Sequence, residues 1–227
     1  MNTKRLKNEL DTFNAENKKL RITMGTLVVM GWCVFLIIIS TFTQFDFNHY
    51  ILGSFNPSDP NFLKLKHCVY IPQIPTILFI AALIGSRFGI TSVLIYILLG
   101  LTFFPIFALG GGIGYLFQYN FGYILAYIPA VFIVSFMLKD KFNYATTAKA
   151  TIMGILTIHI IGIFYLILMA IIHRDPFSEV SSWIAMQSGT KMIYDFIFGY
   201  LAILLAKPVK QFYGFLWVSF LRSLSYF

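Results

Sequence analysis

The chain reads as an all-α integral membrane protein, a bundle of six transmembrane helices with both termini cytoplasmic. Three observations predict this. First, 58% of its 227 residues are apolar and 11% are charged, whereas soluble domains are about half apolar and a quarter charged. Second, the apolar residues gather in runs at 22–42, 71–84, 90–107, 119–138, 151–172 and 184–206. A helix needs roughly 20 such residues to cross the hydrocarbon, so the second run is a short member. Third, basic residues are distributed unevenly. With the N-terminus inside, thirteen Lys and Arg lie on the cytoplasmic side and four, Lys64, Lys66, Arg174 and Lys191, lie outside. Cytoplasmic loops collect positive charge, which places the termini inside and the segment around Gly111 outside.

Each element follows from local pattern. The first run is preceded by a largely polar stretch of about twenty residues and lacks a small-residue cleavage site after it, so it is expected to stay as a span. Residues 1–21 carry Leu6, Leu10, Phe13, Asn17 and Leu20 at spacings of four and three. That pattern predicts a cytoplasmic amphipathic helix on the membrane surface rather than two heptads of coiled coil. Runs such as Leu27-Val28-Val29-Met30 do not alternate, which excludes a β-barrel reading. Pro72 and Pro75 disfavour helix just before them and predict an irregular segment around Gln73 at the outer edge. Residues 22–206 form the membrane domain, and the aromatic stretch 207–227 after Lys207-Pro208 is expected to be an interfacial cytoplasmic tail.

The net charge of +8 is a topology signal, since its basic residues do not cluster on a soluble module as a nucleic-acid partner would require. Cys33 and Cys68 form neither a metal-ligand cluster nor a disulfide framework. No nucleotide loop is encoded, because the glycines lack a Gly-Lys-Ser/Thr ending. No cofactor is implied.

Polar groups inside the apolar runs carry the functional reading. Lys191 and Asp195 are four residues apart, on one helix face, with opposite charges spaced to pair. Either they form a structural ion pair, or they line a ligand cavity where an ammonium donates to a carbonyl or carboxylate and a carboxylate accepts from N–H groups. His159, alone in the fifth run, reads as a helix-packing hydrogen-bond partner. Gly85, Gly89, Gly100, Gly154 and Gly162 permit close helix approach. Gly110-Gly111-Gly112-Ile113-Gly114-Tyr115 is either a flexible turn tolerating positive φ or a gate over a ligand, with Tyr115 and Gln118 adding surface and hydrogen bonds.

From Ile71-Pro72-Gln73-Ile74-Pro75 through Ala82–Gly89, Tyr96–Leu101 and Pro105–Ala108 to the glycines and Gly122-Tyr123, the order of motifs resembles the BioY family, the biotin-recognising subunits of energy-coupling-factor transporters. The resemblance is strong over 71–138 and weaker over 183–210. It implies an S-component-type bundle in the plasma membrane that captures biotin without being an enzyme. It also implies a transmembrane coupling subunit and a pair of ATPases as energising partners, with lipid around the bundle. The resemblance implies Gln73, Gly111, Gly112 and Tyr123 as ligand-binding residues, and the reading of the residues themselves adds Tyr115, Gln118, Lys191 and Asp195. In many relatives a Pro-Gly-Asp segment with a Lys three residues on precedes the last helix. Here Ser188-Gly189-Thr190 stands there, with Ile193 at the Lys position, so Lys191 and Asp195 are the nearby substitutes. Two further readings are a subunit for another small vitamin, and an intramembrane enzyme using His159, Lys191 and Asp195, which lacks a recognisable catalytic spacing.

Overall fold

The computed structural model describes residues 24–52, 63–139 and 142–224. The expected amphipathic helix at 1–21, Lys141 and the last three residues lie outside the described residues. Helix α1 (Met24–Phe42) leads into an antiparallel hairpin of β1 (Phe45–Leu52) and β2 (Leu63–Tyr70), paired from Phe45 opposite Tyr70 to Leu52 opposite Leu63. Helix α2 (Gln73–Thr102) follows, then a 3₁₀ turn at Ile113–Phe117, α3 (Phe121–Leu125) and α4 (Tyr127–Leu138). The chain ends in α5 (Tyr144–His173), α6 (Phe177–Ser188) and α7 (Lys191–Leu224). α7 continues through Pro208 without a break.

Five helical stretches among the described residues are long and apolar enough to cross a membrane. One of them, α2, is not a straight rod. Gly85 sits at φ 78°, ψ 179°, outside helical space, and the Gln73 amide nitrogen is 3.0 Å from the Tyr96 hydroxyl. Twenty-three residues of straight helix would separate these groups by about 34 Å, so α2 doubles back at Gly85. Its legs, residues 73–84 and 86–102, correspond to the second and third apolar runs. Glycine at the turn is required because its φ lies where a side chain is strained. The β-hairpin was not expected from the apolar runs.

The packing of α1 shows how membrane helices divide their surface. Met30, Cys33, Val34, Ile37 and Thr41 recur at spacings of three and four and are buried, while Val28, Trp32, Phe35 and Ile39 on the other face are exposed, as suits one stripe toward the bundle and the rest toward lipid. Close approach elsewhere depends on glycine. A Cβ on Gly122 would stand 2.2 Å from Tyr165 Cβ, and one on Gly154 2.7 Å from both Leu78 and Val134. Connectivity brings the end of α1, both ends of the α2 hairpin, the start of α3, the end of α5 and the start of α7 to one end of the bundle. Arg87, Lys139, Lys207 and Lys210 lie at the other.

Candidate functional site

Gln73 is where the helices meet. Pro72 caps α2 and Pro75 occupies its first turn, where the missing N–H would have had no helical acceptor. Gln73 is therefore helical, a correction to the irregular segment that the prolines predict. Its amide is fully engaged. Nε2 donates to Thr41 Oγ1 at 2.8 Å and to the Tyr96 hydroxyl at 3.0 Å, while Oε1 accepts from the Tyr127 hydroxyl at 2.8 Å. Three helices, α1, α2 and α4, are thus tied at one amide.

A second network lies beneath the start of α7. Asp195, fully buried, accepts from the Tyr70 hydroxyl at 2.9 Å and lies 3.3 Å from His159 Nε2. His159 Nδ1 is 2.8 Å from Ser188 Oγ, which is 2.8 Å from the Tyr123 hydroxyl. With a proton on Nε2, hydrogen bonds run unbroken from Tyr123 to Ser188, to His159 and to Asp195. The predicted pairing of Lys191 with Asp195 is absent: the only acid one turn along α7 turns inward to His159 and Tyr70, and Lys191 has no ion pair among the described residues.

Between these networks lies a small cavity of about 90 Å³, partly open to solvent. Gln73, Tyr115, Tyr123 and Lys191 line it, joined by Asn120, Tyr127 and Gln187, with Ile71, Ile74, Ala108 and Ile124 as apolar wall. Four predicted site residues thus converge. Asp195 is behind the wall rather than on it. Gly111, Gly112 and Gln118 are not on the lining, and the glycines dock the outer loop onto α2 instead. Gly112 N–H donates to Gly100 C=O at 2.8 Å, and Phe107 and Gly110 exchange both backbone hydrogen bonds. A Cβ on Gly111 would lie 2.7 Å from Gly100 oxygen. This clamp places the Tyr115 ring against Phe107, with centroids 4.6 Å apart. Burial pushes the Tyr115 phenol above its ordinary value, so it stays a neutral donor through the physiological range.

α6 closes the outer side of the cavity. Gln187 Nε2 donates to Asn120 Oδ1 at 3.0 Å, and Trp183 packs on Tyr119 at 5.2 Å. Tyr119 also donates a short hydrogen bond to Asp175, which raises its phenol pKa. Sequence reasoning missed Asn120, Tyr127 and Gln187, which carry no charge and fall in no glycine or proline motif. Tyr127 was legible only as a phenol four residues after Tyr123, on the same face.

The BioY family model matches residues 68–215. The chain belongs to the BioY family. Among relatives of this BioY-family chain, the probable biotin transporter BioY of Lysinibacillus sphaericus is 29% identical over 125 residues, covering 54% of this chain and 58% of the relative. The corresponding Pyrococcus horikoshii protein is 34% identical over 91 residues, 40% of this chain and 53% of that one. The matched segment therefore spans somewhat over half the length of these curated relatives. The fold is similar to that of an S-component for biotin from an ECF-type ABC transporter. That structure has a TM-score of 0.58 and 20% identity, covering 82% of this chain and 91% of the other. This BioY-family chain is thus a multi-pass membrane protein of S-component fold.

Proposed function

We propose that the chain is a biotin-binding membrane subunit that captures biotin at the outer face of the plasma membrane and delivers it through separate coupling and ATPase subunits. The observation that carries this reading is the composition of the cavity: one cation, Lys191, without an acid partner among the described residues, beside neutral amides and phenols. Biotin has the matching chemistry, a single carboxylate and a neutral ureido ring.

In this reading Lys191 receives the carboxylate through charge-assisted hydrogen bonds. Asn120 and Gln187 offer both donors and acceptors to the ureido group, while Tyr115 and Tyr123 flank the ring system. Gly111 and Gly112 act through Tyr115 by clamping its loop, and Gln118 stands exposed at the outer end. Asp195 acts through His159 and Ser188, which fix Tyr123 and the end of α6. Gln73, with its hydrogen bonds already satisfied, is a rigid wall and not a donor to the ligand. The energising partners follow from the S-component fold, since no ATPase motif is present in the chain.

The test is quenching of intrinsic fluorescence of the detergent-solubilised protein, with Trp183 close to the cavity. Saturable quenching by biotin supports the reading. Saturation by a different vitamin, with none by biotin, moves the assignment to that vitamin.

A further inference from the structure

The end of the bundle opposite the candidate site holds a second cavity that ligand capture leaves unused. It has a volume of about 450 Å³, open at one side, between the α2 turn, the end of α4 and the middle of α7 at Lys210. Arg87, Lys139 and Lys210 line it together with Ser86. Lys207 stands 5.9 Å over the ring of Phe142, another wall residue. None of these four cations has an ion-pair partner among the described residues; Asp140, next to Lys139, lies outside them. The second leg of α2 begins at this turn, adding the positive end of its dipole. The cavity therefore selects an anion.

Its apolar wall decides which kind. Phe132 and Phe136 line the same cavity, stacked at 6.2 Å and 17°, and they are 54% and 69% exposed on a transmembrane helix. A free phosphate would use only the cationic rim. A molecule with a phosphate at one end and a hydrocarbon chain at the other uses both, and basic pockets between transmembrane helices suit acidic headgroups. We propose that this cavity holds the phosphate headgroup of an acidic phospholipid, with an acyl chain along Phe132 and Phe136.

Native mass spectrometry of the delipidated full chain tests this, using phosphatidylglycerol, phosphatidylcholine of the same chain length, and inorganic phosphate as probes. Wild-type protein is expected to retain phosphatidylglycerol at a stoichiometry of one and to prefer it to phosphatidylcholine. A basic residue near a headgroup contributes roughly a fivefold factor, so Arg87→Gln with Lys139→Gln and Lys210→Gln should weaken retention on the order of a hundredfold. Lys149→Gln, an exposed cation off the cavity, should leave it unchanged. Equal retention of both lipids by the wild type overturns the proposal, whatever the triple variant does to folding. So does a folded triple variant that still prefers phosphatidylglycerol. Saturable binding of inorganic phosphate that excludes the lipid would show a free-anion site and overturn the lipid assignment.

Discussion

At the scale of single residues, Lys191 and Asp195 have separate tasks despite their one-turn spacing. Lys191 faces the cavity, and Asp195 is buried beneath it against Tyr70 and His159. Because the two charges do not pair, single substitutions distinguish binding from stability. Lys191→Gln should fold with a near wild-type melting temperature and lose biotin affinity by about 10- to 100-fold, the range expected for a hydrogen bond to a charged group. Asp195→Ala should instead melt lower, costing about 1–3 kcal/mol for the buried His159 Nε2 it strands. Thermal unfolding and titration of both variants check the contrast. The charges themselves were visible in the sequence, and so was their shared face. Their partners were not, because Tyr70 is 125 positions from Asp195 and no local pattern announces such a contact.

At the scale of elements, glycines set the site's geometry through what they leave empty. A Cβ on Gly162 would be 2.4 Å from the Tyr123 ring. Gly162→Ala should therefore displace that ring from its Ser188 hydrogen bond, destabilise the protein by about 1–3 kcal/mol through overpacking and weaken ligand binding, both measurable on purified protein. At the α2 turn nothing crowds Gly85, yet its φ of +78° is unfavourable for any side chain. Gly85→Ala should cost about 1–3 kcal/mol from backbone strain alone, read as a lower melting temperature with ligand affinity retained. The apolar runs marked these helices because a membrane span must be apolar along its length. The same criterion hid the β-hairpin, although Leu63-Lys64-Leu65-Lys66 alternates and Asn56-Pro57-Ser58-Asp59-Pro60 is rich in turn formers. Prolines misled in the other direction: at Pro72 and Pro75 they begin a helix rather than interrupt one.

At the scale of the whole molecule, the two ends of the bundle differ in chemistry, one carrying the neutral cavity with a single cation and the other Arg87, Lys139, Lys207 and Lys210. By the positive-inside rule that asymmetry predicts the second end to be the cytoplasmic one. Cysteine labelling on a background lacking Cys33 and Cys68 should find Gln118→Cys, at an exposed position, reactive from outside and Lys141→Cys from inside; the reverse at both positions would invert the orientation. The broad architecture was readable because hydrophobicity over 20 residues is a strong signal. The cavity was only partly so, since it is assembled from four separate stretches of chain by packing. Isothermal calorimetry with biotin, on the wild-type protein and on Lys191→Gln in parallel, probes the central claim most directly. Saturable one-site binding to the wild type, weakened about 10- to 100-fold by the substitution, is the predicted result. Absence of saturable binding to the wild type, or equal affinity in both proteins, would contradict it.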